Sequence, residues 1–164
     1  MPLLRAWKKR MARQGLLRQY TMALAQTQGR PVRGKLTSPI GLTSAEILSM
    51  TLDHLACMEG QSETARLLGL TEDEVAAHRE RARHIHRRLS SVLLYRDAAA
   101  RTEGSETQGG YYSRTPVRAE DVASAAVDKL AGLEGEAEAA RLLRLTEHEV
   151  AAHRRRARRN RGQG

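Results

Sequence analysis

The chain has no phenylalanine, and Trp7 with four tyrosines makes up its entire share of large aromatic side chains among 164 residues. A large aromatic core is thereby excluded; the apolar share rests on Ala and Leu, which suits small units of closely packed helices. Cys57 is the single cysteine, so no internal disulfide and no cysteine-based zinc site is expected. No run of about eighteen apolar residues occurs, and the opening MPLLRAWKKRMARQ lacks the apolar stretch of a secretory signal, so neither a membrane span nor export is expected. The expected compartment is a reducing cytoplasm.

Motifs for catalysis are missing as well. There is no nucleophile elbow, no glycine loop to cradle phosphate and no pair of acids in an apolar setting. His148-Glu149-Val150 does not continue to a second histidine at metalloprotease spacing, and His84 and His86, two apart, would point to different sides of a helix. Neither an enzyme nor a cofactor or metal is expected.

Acids are absent over the first 45 residues, which carry nine Lys or Arg, Arg5, Lys8, Lys9, Arg10 and Arg13 among them. The net charge of +9 is therefore an N-terminal excess, joined by a second basic concentration, RRRARRNR, at residues 154–161. Two basic ends point to a polyanion, nucleic acid first and an anionic membrane surface second. Residues 1–41 read as a basic helical arm, with apolar residues at helical spacing interrupted at Gly15, followed by a Gly- and Pro-containing linker from 27 to 41. The five named cations would contact a DNA backbone.

What is abundant is repetition. Residues 63–83 read ETARLLGLTEDEVAAHRERAR and residues 138–158 read EAARLLRLTEHEVAAHRRRAR, identical at 17 of 21 positions. The same offset pairs Leu52-Asp53 with Val127-Asp128 and Leu55-Ala56 with Leu130-Ala131. A duplicated module follows, with units at 42–97 and 117–164 and a polar linker at 98–116. A flexible tether of about 19 residues reaches ~25 Å, comparable with the ~34 Å between successive major-groove sites.

Each unit contains three helical segments. Thr71-Glu72-Asp73-Glu74 and Thr146-Glu147-His148-Glu149 have the reciprocal capping pattern, so a helix starts just after each threonine. The preceding helix ends near Leu68, with Gly69 placed for a left-handed turn. Helix, short turn and helix make the helix-turn-helix layout, whose second helix enters the major groove. The fold class is thus all-α: two tandem helix-turn-helix units joined by a flexible linker.

Leu42-Thr43 followed by ARLLGLTEDEVAAHR resembles the DNA-binding domain of LuxR-type regulators, and EVAAHRERAR also resembles region four of bacterial sigma factors. The likeness covers about residues 42–90 and 117–161. It implies that Val75 and Val150 lie in the core and that His78 and His153 lie near DNA. The second copy departs from the pattern at Arg144, where the turn glycine is expected; a left-handed Arg costs about 1 kcal/mol, and a differently shaped turn is expected there.

With Val75 pointing inward and about 100° per residue, residues 73, 77, 80 and 84 face outward, with 81 at the edge. Between copies Asp73 becomes His148, Ala77 stays as Ala152, Glu80 becomes Arg155 and His84 becomes Arg159. Core letters are kept while most outward letters change, as two reading surfaces on one scaffold would require. The expected DNA-binding set is Asp73, Ala77, His78, Arg79, Glu80, Arg81 and Arg83 in the first copy. In the second it is His148, Ala152, His153, Arg154, Arg155, Arg156, Arg158 and Arg159, and the second copy is the expected tighter binder. Ile85, Leu89, Val92 and Leu93 form an apolar stripe that either packs on its own unit or forms a homodimer.

The expected function is sequence-specific binding of double-stranded DNA by a bacterial or phage transcription regulator at the nucleoid. The alternatives are an architectural DNA-binding protein and an interaction protein docking on RNA polymerase or another regulator.

Overall fold

The computed structural model describes residues 2–31, 41–102 and 118–162, with the side chains of 2–5 and 102 outside the description. Seven helices and no strand are found among the described residues: α1 (Pro2–Thr27), α2 (Ser44–Glu59), α3 (Gln61–Leu68), α4 (Glu72–Thr102), α5 (Ala119–Glu134), α6 (Glu136–Leu143) and α7 (Glu147–Arg161). The all-α class is therefore observed. None of the helices is long and apolar enough to cross a membrane among the described residues. The chain forms two compact units, Met1–Ile85 and His86–Gly164, and the division falls inside α4.

In unit 1, α2 starts at a reciprocal cap: Glu46 N–H donates to Thr43 Oγ1 (3.3 Å) and Thr43 N–H to Glu46 Oε2 (2.9 Å). Its inner face buries Ile47, Leu48, Leu52, Leu55 and Ala56. Gly60, at φ 91°, breaks the chain direction with no intervening loop and leads directly into α3. At the end of α3, Gly69 is left-handed (φ 66°, ψ 32°), and Leu70 N–H reaches back to the Ala65 carbonyl at 3.0 Å. Thr71 then caps α4, accepting from Glu74 N–H at 3.2 Å, and Val75 is fully buried against the α2 face.

Unit 2 repeats these parts. Gly135 has φ 89°, Leu145 N–H donates to the Ala140 carbonyl at 2.9 Å, and Thr146 accepts from Glu149 N–H at 3.2 Å. The turn at Arg144 has the same shape as that at Gly69, with φ 57° and ψ 40°. The expectation of a different turn is corrected: the backbone hydrogen bonds on either side hold the left-handed geometry even though a Cβ disfavours it.

The N-terminal segment is also corrected. Helix α1 runs unbroken through Gly15, and its second half packs on α2, placing Tyr20 and Ala23 in the unit 1 core with Leu24 beside them. It is a fourth helix of the unit rather than an arm, although Lys8, Lys9 and Arg10 in its first half are exposed. Lys9 is bound to Glu59 at 3.4 Å and Arg13 is half-buried. The Arg5 side chain lies outside the described residues.

The counterpart in unit 2 is the second half of α4. Tyr95 stands seventy-five residues after Tyr20, and Arg88, Ala98, Ala100 and Thr102 repeat Arg13, Ala23, Ala25 and Thr27 at the same offset. Val92 and Tyr95 pack against Val127, Leu130, Ala140 and Val150. Thus residues 86–97 belong with the second unit, not the first. The stretch read as a linker begins inside α4, and residues 103–117 join α4 to α5 within unit 2, so a tether length between units does not apply. Residues 32–40, in the other segment read as a linker, lie outside the described residues.

Candidate nucleic-acid interface

The first half of α4 and the whole of α7 carry the residues singled out for DNA. Their inward anchors are Val75 and Val150, both fully buried. One turn further on, each helix is fastened to its neighbour by the same two polar contacts. Ser49 Oγ lies 2.9 Å from His78 Nδ1, and Ser124 Oγ lies 3.0 Å from His153 Nδ1. Each serine hydroxyl also donates to a carbonyl one turn back, Ala45 at 3.2 Å and Glu120 at 2.8 Å. A carbonyl can only accept, so the hydroxyl hydrogen goes there and the imidazole Nδ1–H donates to the serine oxygen. Burial pushes both histidines below the ordinary imidazole range, helped by the nearby Arg81 or Arg156 cation and opposed by Glu74 or Glu149.

The second fastening is an ion pair. Arg79 Nε donates to Asp53 Oδ1 at 3.1 Å, and Arg154 Nε to Asp128 Oδ1 at 3.1 Å. Arg79 reaches Gln61 as well, and Arg154 reaches Glu136. These contacts hold both guanidinium groups above their usual pKa, the aspartate hydrogen bond contributing most. In unit 2 a third clasp is added: Arg156 binds Asp121 and Glu120, both at 2.7 Å. Asp121 is held below the usual carboxylate range by Arg156 first and Asn160 second.

Five of the expected DNA-binding residues, His78, Arg79, His153, Arg154 and Arg156, therefore fasten these helices to α2 or α5 in the structure. All five are half-buried. The physical reason is proximity on the helix: each lies within one turn of the inward face, where the partner helix offers a serine or an acid.

The outward stripe is different. Asp73, Ala77, Glu80 and His84 are all exposed on α4, as are His148, Ala152, Arg155 and Arg159 on α7. On α4 the acids dominate this face, Glu80 is tied to Arg83 at 2.7 Å, and Arg81 is exposed beside them. On α7 the exposed Arg155, Arg158 and Arg159 have no ion-pair partner among the described residues, so their charge is turned to solvent. Arg144 is exposed just before α7. The difference at Thr64 and Ala139 has another origin: both are buried, and the Thr64 hydroxyl is satisfied by the Gly60 carbonyl at 2.7 Å.

Ile85 and Val92 are buried, Val92 in the unit 2 core. They are thereby removed from any interface with a second copy. Leu89 is half-buried and Leu93 is 50% exposed. Among the described residues no group of three or more His, Cys, Asp or Glu side chains is placed to hold a metal ion.

The His–Ser and Arg–Asp fastenings were not anticipated from sequence, although Asp53 and Asp128 sit at matching positions of the repeat and Ser49 and Ser124 do the same. No known protein family, curated protein or solved structure matches the chain.

Proposed function

We propose that the chain binds double-stranded DNA through two helix-turn-helix units, α3 with the first half of α4 and α6 with α7, and that it acts as a transcription regulator at the nucleoid. The observation that carries this reading is the row of exposed arginines on α7, Arg155, Arg158 and Arg159, with no acid paired to them among the described residues. Such a row matches a phosphate backbone, and Arg155 in the outward stripe matches the acceptor edge of guanine. The opposite sign on α4, Asp73 and Glu80, supports unequal roles, with α7 supplying most of the affinity and α4 adjusting sequence preference.

A second reading, coating of DNA without sequence preference, draws on Ala77 and Ala152. Each stands mid-stripe in its outward face with no hydrogen-bonding group, so one of the four paired reading positions, 77 with 152, is chemically limited to apolar contact in both copies. Selection from random-sequence duplexes at about 0.15 M salt, followed by a protection footprint on the selected fragments, separates the two. The regulator reading expects a discrete enriched motif. Even coverage would support coating, and retention of no DNA would sink both.

A further inference from the structure

Unit 2 contains an open cleft of about 460 Å³ between the second half of α4, α5 and α7. Its volume is in the range of small-molecule sites, about 300 to 1,000 Å³. Comparison of the two copies explains why it is there. At the offset of the repeat, Leu24 and Leu48 of unit 1 become Ala99 and Ala123. Both leucines pack in the unit 1 core, Leu48 at 7% exposure. Their alanine counterparts both line the cleft. Two large side chains are missing where the rest of the scaffold is retained.

The remaining walls have a definite chemistry. The Tyr95 and His153 rings meet edge to face with centroids 5.9 Å apart, and the methyl groups of Ala99, Ala123 and Ala152 form an apolar floor. His153 is kept neutral by burial, and its Nδ1 is taken by Ser124, so Nε2 is the imidazole nitrogen left to accept from a ligand. Of the charged lining residues, Glu149 is committed to the Thr146 N–H and hydroxyl, and Glu120 to Arg156. Arg159 alone brings a charge without a partner among the described residues. It lies six residues beyond His153, about 9 Å of helix rise, a span that a substituted benzene ring and a long arginine side chain bridge together.

We propose that this cleft binds a small hydroxylated aromatic acid. The ring lies on the alanine floor against Tyr95, the ring hydroxyl donates to His153 Nε2, and the carboxylate pairs with Arg159. Because Arg159 also belongs to the outward row of α7, ligand and phosphate compete for it, which would make the acid an effector. The binding itself does not rest on the DNA reading.

The test uses the full chain and 4-hydroxybenzoate, with binding followed through the Tyr95 and His153 ring resonances in NMR spectra without DNA. Saturable shifts at both rings are expected. Arg159→Gln, at an exposed position, weakens binding about tenfold, as loss of a charge-assisted hydrogen bond implies, and the neutral 4-hydroxybenzamide binds the native chain correspondingly less well. Ala99→Leu with Ala123→Leu, which copies unit 1, abolishes binding; if that pair does not fold, Ala99→Leu alone carries the same test. Absence of saturable shifts at millimolar concentration overturns the proposal, as does equal binding of the amide or undiminished binding in the filled variant.

Discussion

Ser124 and His153, twenty-nine residues apart in sequence, are joined by a 3.0 Å hydrogen bond between Oγ and Nδ1, and Ser49 and His78 repeat the contact at 2.9 Å in unit 1. Each bond ties a helix bearing an outward stripe to the helix beneath it. Ser124→Ala leaves the imidazole N–H without its partner in a half-buried setting and is expected to cost about 1 kcal/mol. Urea denaturation of Ser124→Ala and Ser49→Ala checks this, and unchanged midpoints would show that the bonds contribute nothing to stability.

Acid should weaken the fold in a window set by these histidines. The folded-state pKa of His78 and His153 is lowered by burial, whereas an unfolded histidine titrates near its ordinary value of about 6.5. The unfolded chain therefore takes up protons first, so stability is complete above about pH 6.5 and declines as pH falls through that value toward the lower folded pKa. Carboxylates held low, such as Glu149 and Asp121, contribute stability that is lost only below about pH 4.5. Thermal midpoints at pH 7.5 and 5.5 should differ in the native chain, and the gap should narrow in a His78→Gln, His153→Gln variant.

The two turns make a direct comparison of glycine and arginine in one backbone geometry. Arg144→Gly relieves a left-handed residue, partly offset by the greater freedom of glycine in the unfolded chain, and is expected to stabilise by ~0.5 to 1 kcal/mol. Gly69→Arg, into open space, should cost a similar amount. Differential scanning calorimetry of both variants measures the pair, and shifts of the same sign would contradict the account.

Removing arginines from α7 should separate two classes. Arg155→Gln and Arg159→Gln are expected to leave stability unchanged and to lower the slope of log affinity against log salt by about 1 each, the share of one phosphate contact. Arg154→Ala breaks its pair with Asp128 and should lower stability by about 1 kcal/mol, with the salt slope nearly unchanged. Salt titrations of duplex binding beside denaturation curves decide it. A steep loss of slope in Arg154→Ala would return that residue to the interface.

Helix identity was legible wherever side-chain chemistry is local: the threonine caps at 71 and 146, the turn at Gly69 and the inward Val75 follow from neighbours a few residues away. The outward stripe at 73, 77, 80 and 84 was legible too, since periodicity alone separates it from Val75. What was not legible depends on a partner helix. Arg79 and Arg154 read as available cations until Asp53 and Asp128 are placed beside them, and Val92, open in the sequence to packing on its own unit or to a second copy, is decided only when α5 and α7 surround it. The role of α1 was hidden because only five identities link residues 13–27 to 88–102, with Tyr20 and Tyr95 the most informative. The DNA reading rests on charge and layout, and the arginine row behind it was already visible in the sequence as RRRARRNR at 154–161.

Because Tyr20 in α1 and Tyr95 in α4 occupy equivalent places, the interchangeable block of this chain starts and stops in the middle of helices. Excising residues 13–87 would join Ala12 to Arg88 at corresponding points of the two helices, leaving one complete four-helix unit with its own tyrosine, cap and turn. Cutting instead at residue 117, where the obvious similarity resumes, would strip Val92 and Tyr95 from the second core. Modular shuffling in this architecture therefore favours breakpoints inside helical segments, and a fragment chosen by the visible repeat alone would begin without the helix that closes its core through Val92 and Tyr95.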